Sequence, residues 1–562
     1  MTGTRIASAA ARLTAAEYVD PVAVLRQWAA REPDAEIAVS YDVPASMAAG
    51  QLCGRTSFTA EALWQQVTAV AAALRARGIG AGDTVAIQLP NWPEYLLAHL
   101  AVLAAGAITV PISSILRAHD VAQQLRISRA RAMIIPTKHG RTDYPAMIAA
   151  LRSQLPDLAT VVTVRGHAEA TLDLGDVVRE GSRAELAGER ARIADGSFVP
   201  DPDAPAIVNF TSGSTGVPKG VMHSLRSASA HVAPVTRLMA LRHDDVFLIP
   251  TTLGHAAGFL NGMYIPLSLQ AKIVYLDRWD AGVAMQAIQA DAISYAPAMP
   301  TYLADLLSHP RLHEHDLSSW RAARVSGGPI NQSALTRMQA KQPQLGLFRG
   351  WGMTEALMLT GCGPDDPADK RLHTDGRPLG LCQLSIRGAD LVEELPPGRT
   401  GEILVRSDSL MLGYFEQQEL TEQAFTADGW LRSGDLGFVD TEGYLTISGR
   451  IKDIVVRGGE NIPVKVVEDL LAEHPDILSV CVVGLPDERL GEKVCAVLRS
   501  RRDSLGLDEV RDYLVDRQLT RQFIPELLVL LDELPRSSVN KIQRDEVRRL
   551  AASALDIPLA SN

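Results

Sequence analysis

Residues 210–220 have a composition suited to phosphate binding, because they contain three glycines, four hydroxyl side chains and one lysine. Glycine lets backbone N–H groups come close to an anion, and hydroxyl and ammonium groups add donors and positive charge. The segment differs from the P-loop of nucleotide hydrolases, in which Ser or Thr follows the lysine, since Gly220 follows Lys219 here. We therefore predict a phosphate site of another type; a flexible loop is the simpler alternative. The candidate ligand-binding residues are Thr211, Ser212, Gly213, Ser214, Thr215 and Lys219.

Two further segments carry groups that suit the base, sugar and metal of a nucleotide. The aromatic plane of Trp351 lies between glycines and is followed by Thr354 and Glu355. An aromatic side chain can stack on a base, and a carboxylate is an oxygen ligand of the kind that Mg²⁺ prefers. Asp435 lies between glycines in a predicted turn, where it could accept from both hydroxyls of a ribose. The alternatives are a core tryptophan, a surface glutamate and a turn-forming aspartate.

Three polar segments nearer the C-terminus gain meaning only in combination. Arg450 and Lys452 occupy a compact polar stretch where one structural unit ends and another begins. Gly458 and Gly459 permit a close approach of another molecule to the backbone, and Lys541 lies on a polar loop. Taken singly, each has an ordinary explanation: a solvated linker charge, a hairpin turn and an exposed lysine.

The elements that would position these groups alternate between helices and strands. A chain of 562 residues is too long to fold around a single hydrophobic core, so two or more domains are expected. The alternation predicts the α/β class: an N-terminal domain (1–449) of helix-covered, mainly parallel sheets, with a β-rich part at about 384–449. Residues 450–562 should form a small α+β C-terminal domain. One strand is predicted at 292–295.

A helix of the C-terminal domain should begin at Pro463, because proline suits the first helical position. Hydrophobic spacing predicts that one face of this helix is buried. That apolar stripe comprises Val466, Val467, Leu470 and Leu471.

The composition excludes several classes of partner. A net charge of −11 argues against a general nucleic-acid or anionic-membrane surface. The longest apolar stretch, residues 100–112, is interrupted and too short to span a bilayer, and no signal-peptide pattern precedes it. Five scattered cysteines lack zinc spacing and form no even set for disulfides. We therefore expect a cytoplasmic protein with reduced thiols, no nucleic-acid partner and no integral membrane segment.

Taken in order, these segments resemble the adenylate-forming superfamily, which includes acyl-CoA synthetases, adenylation domains of peptide synthetases and firefly luciferase. The resemblance extends from about residue 20 to about residue 550. Trp351 stands where tyrosine is commoner, and Asn540 stands where glycine is usual; asparagine tolerates left-handed backbone angles. The matching segments are 211–220 (phosphate loop), 351–355 (adenine and Mg²⁺), 433–435 (ribose), 449–452 (hinge) and 535–541 (catalytic-lysine loop).

The resemblance implies a two-step reaction that uses ATP, Mg²⁺ and coenzyme A. A carboxylate first attacks the α-phosphorus of ATP, which gives acyl-AMP and pyrophosphate. A thiol, usually that of CoA, then attacks the acyl carbon and releases AMP. By the same resemblance, Lys541 neutralises charge on the α-phosphate, Thr354 contacts that phosphate, and Glu355 holds Mg²⁺. The residues of the phosphate loop would steady the departing pyrophosphate.

The other matched residues would bind the nucleotide or serve the second step. The C-terminal domain would be mobile and would rotate about Lys452 between the two reactions. Gly458 and Gly459 would then line the tunnel for the pantetheine arm of CoA. Four matched residues would surround the adenine and ribose: Gly328, Trp351, Asp435 and Arg450.

Residues 254–259 and 296–300 are expected to form the acyl site. His255 would occupy a gate position and take part in catalysis, with a hydrogen-bonded core histidine as the alternative. Neither segment contains Asp or Glu, which the ammonium of an α-amino acid would need, so we expect an uncharged aliphatic or alicyclic acid. The run from Pro250 through Trp279 is most similar to bacterial cyclohexanecarboxylate and medium-chain acyl-CoA ligases. The candidate substrate-binding residues are His255, Ala256, Ala257, Gly258, Ala296 and Ala298.

Two other functions stay open at this point. One is an acyl- or aryl-adenylate ligase that loads a carrier protein, which an acceptor assay would distinguish from a CoA ligase. The other is a non-catalytic adenine-nucleotide-binding protein, against which the presence of Lys541, Glu355 and Asp435 argues. The sequence also leaves a homodimer open.

Overall fold

The computed structural model shows a mixed α/β protein. Two large helix-covered sheets and a four-stranded sheet precede residue 451, and a smaller unit of sheet and helices follows it. The predicted fold class is therefore confirmed. The structure describes residues 18–42, 52–196, 201–211, 218–325, 332–457, 460–487, 489–502, 504–517, 519–537 and 541–559.

The eight-stranded sheet carries both ends of the predicted phosphate loop. Its central strands are short, buried, β-branched runs that pair in parallel, as expected for strands covered by helices. The loop joins two antiparallel strands whose register pairs Thr211 with Lys219, so these two residues stand opposite each other at its base. In spatial order the strands are Gly413–Tyr414, Lys219–Ser224, Pro205–Thr211, Ile108–Pro111, Thr84–Ile87, Ala132–Pro136, Thr160–Val164 and Leu172–Asp173.

The seven-stranded sheet carries the second segment predicted for the acyl site. The strand expected at 292–295 begins three residues later, so that prediction was wrong in position. Ala292 caps the preceding helix, Ala281–Asp291, in a left-handed conformation with φ 51°, and the chain needs the next residues to turn into the sheet. In spatial order the strands are Gly346–Arg349, Ala322–Val325, Tyr295–Ala298, Val246–Ile249, Lys272–Leu276, Glu36–Asp42 and Cys53–Thr59.

One hydrophobic core joins the inner faces of the two large sheets. It contains Ile87 and Ile207 from the eight-stranded sheet and Phe247 and Tyr295 from the seven-stranded sheet. Helix Pro93–Ala104 is buried along its whole length between them. Each fully buried large apolar side chain contributes about 1.5–3 kcal/mol, so the strand ends that carry polar groups are held on a rigid support.

The β-rich part forms an antiparallel four-stranded sheet that ends at Arg450. A 3₁₀ turn, Ile451–Asp453, then leads directly into the first strand of the C-terminal sheet. The predicted boundary after residue 449 lies beside this turn, and its status as a domain boundary stays a prediction. The four strands are Gln383–Arg387, Gly401–Arg406, Leu431–Val439 and Leu445–Arg450.

The C-terminal unit packs helices against a five-stranded sheet. The helix expected to start at Pro463 starts at Val464, because Pro463 ends a strand. Val467 and Leu471 of this helix are buried, whereas Val466 is 36% exposed, since a step of about 100° per residue turns it away from the buried stripe. The strands are Glu460–Pro463, Ile454–Arg457, Gly491–Ser500 and Ile477–Asp487, with Leu527–Leu530 paired to Gly491–Ser500.

The remaining elements cover or connect these sheets. None of the helices in the described ranges has the length and apolar character needed to cross a bilayer. The α-helices not yet named are Pro21–Arg31, Ala60–Ala76, Ala118–Ser128, Tyr144–Leu151, Leu174–Gly181, Ala187–Ala194, Leu225–Ser229, Val232–Leu238, Ala256–Phe259, Ile265–Leu269, Pro300–Ser308, Gln332–Lys341, Ala368–His373, Gln418–Gln423, Val464–Ala472, Leu507–Asp516 and Arg544–Ala554. Two-stranded pairs join Lys138–His139 to Thr142–Asp143, Gly352–Met353 to Leu357–Met358, and Thr360–Gly361 to Arg377–Pro378.

Candidate active site

The base of the phosphate loop lies against the segment predicted to hold Mg²⁺. Lys219 Nζ is 5.0 Å from the centroid of the Tyr414 ring, and Tyr414 Oη donates to Glu355 Oε1 at 3.0 Å. Burial raises the pKa of Tyr414, and the Glu355 carboxylate raises it further, so the phenol keeps its proton and remains a donor. The structure thus brings Lys219 and Glu355 to the same tyrosine, Lys219 over the ring and Glu355 at the hydroxyl.

Tyr414 is a functional candidate that the sequence analysis missed. It belongs to a two-residue edge strand that pairs with Val221 and Met222, just after the phosphate loop. The sequence signal was weak: a single Gly-Tyr pair about sixty residues from Glu355. Only the pairing of distant strands places this hydroxyl beside the carboxylate.

A buried histidine fixes the backbone of Thr354. His223 Nε2 lies 2.8 Å from the carbonyl oxygen of Thr354, and its Nδ1 lies 3.2 Å from Ser227 Oγ. Burial lowers the pKa of His223 to about 4, so the ring is neutral at neutral pH. Because a carbonyl only accepts, the proton is on Nε2 and His223 donates to Thr354. This second missed residue ties the strand after the phosphate loop to the Thr354–Glu355 segment.

Asp435 is held by two partners that the sequence had assigned to the nucleotide site. Trp351 Nε1 donates to Asp435 Oδ2 at 2.8 Å, and Arg450 Nε lies 2.8 Å from Oδ1. The strand register places Asp435 directly opposite Arg450. Burial raises the pKa of Asp435, while Arg450, Trp351 and Lys541 oppose that rise. The structure therefore groups these four predicted residues, although their roles toward a nucleotide stay predictions.

Lys541 is the one described cation whose charge acts on both predicted halves of the site. It lowers the pKa of His255 and opposes the burial-driven rise in the pKa of Asp435. Its loop is closed by two hydrogen bonds, from Ser537 N to the Lys541 carbonyl at 2.6 Å and from Lys541 N to Ser537 Oγ at 3.2 Å. The C-terminal unit thus supplies the lysine whose charge acts on Asp435 and His255.

The segment that carries His255 is anchored by close backbone contacts. A Cβ on Gly254 would come within 2.3 Å of the Ser113 backbone, and a Cβ on Gly258 within 2.1 Å of the Thr252 carbonyl. His255 Nδ1 accepts from Ala257 N at 3.3 Å and so caps helix Ala256–Phe259. Burial, with a smaller effect of Lys541, lowers the pKa of His255 to about 4. His255 is therefore neutral at neutral pH, and because Nδ1 accepts from Ala257 N, the ring proton is on Nε2, which is a hydrogen-bond donor.

The structure does not bring Ala296 and Ala298 together with His255. Side chains alternate along a strand, and these two alanines point to the outer face of the seven-stranded sheet, in a different hydrophobic cluster from Ala256. On that outer face they line a crevice of about 10 Å³, also bordered by Leu248 and Trp279. The inner face of the same strand presents Tyr295 instead.

Several predicted residues cannot be placed. Ser212, Gly213, Ser214 and Thr215 of the phosphate loop lie outside the described residues, as do Gly328, Gly458 and Gly459. Lys452 lies in the turn Ile451–Asp453, but its side chain is outside the described part of the chain.

Two family models together match most of the sequence. Residues 25–415 match the family described as AMP-binding enzyme, and residues 466–541 match the AMP-binding enzyme C-terminal domain. The chain belongs to the AMP-binding enzyme family. Its membership in the adenylate-forming superfamily, predicted from the motifs, is thereby confirmed.

Curated relatives place this AMP-binding enzyme in the acyl-CoA ligase branch. It is 34% identical to the medium-chain fatty-acid–CoA ligase of Escherichia coli over 88% of this chain and 86% of the relative. It is 31% identical to a Rhodococcus jostii CoA ligase for 3-[(3aS,4S,7aS)-7a-methyl-1,5-dioxo-octahydro-1H-inden-4-yl]propanoate, covering 88% and 94%. The prediction of an acid–thiol ligase is confirmed, and neither a carrier-loading ligase nor a non-catalytic protein is favoured.

A solved structure of the same family supports the fold. The anthranilate CoA ligase AuaEII, determined in complex with anthranoyl-AMP, superposes with a TM-score of 0.82 at 22% identity. The match covers 96% of this chain and 98% of that structure. The large N-terminal part and the smaller C-terminal part of this AMP-binding enzyme therefore follow the arrangement of adenylate-forming enzymes.

Proposed function

We propose that this enzyme converts a medium-chain or alicyclic carboxylic acid into its CoA thioester, with ATP consumed through an acyl-adenylate. The observation that carries the proposal is the grouping of Asp435 with Trp351 and Arg450. The charge of Lys541 acts on this carboxylate and on His255, which suits the bond that joins an acid to AMP.

In the first step, a carboxylate oxygen attacks the α-phosphorus and the bond to pyrophosphate breaks. Negative charge grows on the α-phosphate oxygens, where Lys541 and Thr354 would stabilise it, while Lys219 would steady the leaving group. Catalysis of this kind rests on positioning and electrostatics. The hydrogen bond from His223 to the Thr354 carbonyl supports this assignment, because it fixes the backbone of a residue that must be pre-positioned.

The residues present fit a Mg²⁺ site at Glu355. This carboxylate is half-buried, and its Oε1 accepts from Tyr414, which sets its orientation and leaves Oε2 available. Mg²⁺ is commonly held by one or two carboxylates together with phosphate oxygens and water. When bound, the ion would neutralise charge on the phosphates; Tyr414 and Glu355 would provide its fixed anchor on the protein.

In the second step, the thiol of CoA attacks the acyl carbon and AMP leaves. We propose that the C-terminal unit turns about Lys452 between the steps, withdrawing Lys541 and presenting Gly458 and Gly459 to the pantetheine arm. The short turn Ile451–Asp453, which directly links the four-stranded sheet to the C-terminal sheet, is a suitable pivot. Rotation of a whole unit is a common way to serve two steps with one site.

The class of acid follows from the groups around His255. The segment 254–259 has no acidic residue, and Ala256, Gly258 and Phe259 are buried. The relatives named for medium-chain fatty acids and for a bicyclic propanoate favour acids of similar size. These observations support an acid with a hydrophobic body and without an α-ammonium group.

The decisive experiment is a panel of carboxylic acids assayed for AMP release with ATP and Mg²⁺. Parallel reactions contain CoA, a phosphopantetheinylated carrier protein, or neither acceptor. We expect AMP release with medium-chain and alicyclic acids that depends on CoA. Release that depends on the carrier protein would assign the enzyme to the carrier-loading class. The absence of acid-dependent pyrophosphate exchange with every acid would contradict the proposal.

A further inference from the structure

Three polar side chains are buried together behind the segment that contains Trp351. Arg324 is 5% exposed, Tyr295 is fully buried and His231 is 3% exposed; we call these residues the inner polar cluster. The charge of Arg324 lowers the pKa of both neighbours, opposing burial at Tyr295 and acting with burial at His231. The three groups are therefore close in space, although they come from two strands and a helix N-terminal residue.

The inner polar cluster contains hydrogen-bonding atoms without partners in the described part of the chain. These atoms are Arg324 Nε, Tyr295 Oη and His231 Nδ1. No carboxylate of the described residues lies within ion-pair distance of Arg324, although burial lowers its pKa only to about 10 and leaves it charged. Buried polar groups are nearly always hydrogen-bonded, and a buried charge without a partner is costly. The cluster thus lacks an acceptor for its donors.

The strand register shows that the inner polar cluster faces the interior between the two sheets. Tyr295 pairs with Ala322 and Pro297 pairs with Arg324, so Tyr295 and Arg324 share one face of the sheet. That is the inner face, since Tyr295 and Ala322 belong to the same core as Ala256 and Phe259. The cluster and the His255 segment therefore lie on the same side, whereas Ala296 and Ala298 lie on the other.

One close approach brings the inner polar cluster to the back of the nucleotide segment. A Cβ placed on Gly350 would come within 3.3 Å of Arg324 Nε, and Gly350 directly precedes Trp351. Arg324 therefore lies directly behind the backbone that leads into Trp351.

We propose that Arg324 and Tyr295 recognise an oxygen acceptor of the acid other than the reacting carboxylate. This inference rests on the proposed ligase function and narrows its substrate to acids with a second oxygen function, such as a keto group or a second carboxylate. Arg324 Nε–H and Tyr295 Oη–H supply two donors.

A matched series of acids tests the proposal. Medium-chain, straight-chain acids are compared with counterparts of equal length that carry a keto group at the penultimate carbon or a second carboxylate at the far end. The quantity measured is kcat/KM for CoA-dependent AMP release. We expect at least one counterpart to exceed the plain acid of equal length by about 10-fold to 100-fold, the range for hydrogen bonds to a charged group. The keto and dicarboxylate arms show which oxygen function is preferred. A preference for plain acids at every length would overturn the proposal.

Variants of the inner polar cluster supply the second arm. Arg324→Met should abolish the preference and leave plain acids as substrates, and Tyr295→Phe should reduce the preference several-fold. Arg349→Met is the control: that guanidinium is buried but paired with Asp375 at 2.8 Å, so we expect lower thermal stability and an unchanged preference. If Arg324→Met and Tyr295→Phe both keep the wild-type ratio, the cluster has no part in acid selection.

Binding of the acid is also tested without turnover, by measuring how the acid alone changes the thermal midpoint of the protein. The preferred keto acid or dicarboxylate should raise the thermal midpoint of the wild-type protein and not that of Arg324→Met. If the wild-type protein is inactive on all acids but still shows this difference in thermal midpoint, the ligase function is contradicted. The cluster would then still be a binding site for the acid. Equal shifts in both proteins would overturn the recognition role.

Discussion

The indole Nε1 of Trp351 donates to Asp435 Oδ2 at 2.8 Å, so the residue predicted to contact adenine also orients the carboxylate predicted to contact ribose. Tyrosine, which is commoner at this position in the family, has its donor at a different place on the ring. We expect Trp351→Phe to keep an aromatic face and lose this bond to a buried charged group, which contributes about 1.5–3 kcal/mol. The KM for ATP should rise about 10-fold or more, measured by acid-dependent pyrophosphate exchange.

Trp320→Phe is the matched control for that variant. The Trp320 indole is also buried, and its Nε1 donates to the Ala322 carbonyl at 3.1 Å, in the outer cluster of the seven-stranded sheet. It should lower thermal stability without raising the KM for ATP. An equal rise of KM in both variants would mean that Trp351 acts only through packing.

Tyr414→Phe tests whether Tyr414 orients the proposed Mg²⁺ ligand. The variant keeps the ring beneath Lys219 and removes only the hydroxyl that donates to Glu355. The carboxylate would then be free to rotate, so we expect a higher Mg²⁺ requirement and a fall in kcat of about 10-fold, as for loss of one hydrogen bond to a charged group. Initial rates across a Mg²⁺ titration give both values.

Tyr444→Phe provides the comparison for Tyr414→Phe. Tyr444 Oη also donates to a carboxylate, that of Asp366, at 2.5 Å, in the contact between the helix-containing segment 363–373 and the four-stranded sheet. Its loss should affect stability and leave the Mg²⁺ titration unchanged. A Mg²⁺ curve for Tyr414→Phe that coincides with the wild-type curve would remove Tyr414 from the site.

The sequence predicted the parts of the site whose chemistry is local and missed those created by distant pairing. Asp435 and Arg450 were found separately from their motifs, and the strand register makes them direct neighbours, while their roles toward a nucleotide stay predictions. Tyr414 and His223 carry no motif of their own. Their roles depend on a two-residue edge strand and on a contact across more than one hundred residues, neither of which hydrophobic periodicity encodes.

One strand was predicted at the wrong position because the apolar pattern does not show where the preceding helix ends and the chain turns. Apolar residues at 292–295 suggested a strand, but a left-handed helix cap at Ala292 delayed the strand to Tyr295. The sequence also did not show which face of this strand is turned toward the acyl segment. Side chains alternate along the strand, so Ala296 and Ala298 point outward and the inner position that faces the core belongs to Tyr295.

Lys541→Ala should separate the two half-reactions. Removing a preorganised charge at the α-phosphate typically costs about 10²–10³ in rate, so acyl-AMP formation should fall by that factor. Conversion of preformed acyl-AMP to thioester should stay near the wild-type rate, because Lys541 is proposed to be withdrawn in that step. Lys493→Ala, which removes a C-terminal lysine paired with Asp487, is the control and should leave both steps unchanged. Equal losses in both half-reactions of Lys541→Ala would contradict its role.

Gly459→Leu addresses the opposite half-reaction. The sequence assigns Gly459 to the pantetheine tunnel, where a branched side chain would block the thiol but not ATP. We expect pyrophosphate exchange at the wild-type rate and a loss of CoA-dependent thioester formation of about 10²-fold or more, since misplacement of reactants is costly. Thioester production at the wild-type rate would show that the tunnel passes elsewhere.

Three buried histidines and the half-buried His255 should make this protein lose stability on mild acidification. Burial lowers the pKa of His99 and His231 to about 3 and that of His223 and His255 to about 4. Between about pH 6.5 and pH 4 the unfolded chain binds protons that the folded chain excludes, so the free energy of unfolding falls as pH falls.

His99 offers the cleanest test of that linkage, because it is fully buried in the core between Thr109 and Tyr264. At neutral pH, His99→Gln should be less stable to urea than the wild type. The pH dependence of its free energy of unfolding between about pH 6.5 and pH 4 should nevertheless be smaller by about 1.4 kcal/mol per pH unit. His119→Gln, at an exposed helix position, should keep the wild-type slope. A parallel pH dependence for His99→Gln and the wild type would mean that this ring is not buried in the neutral form, because a site that binds its proton equally in both states contributes no slope.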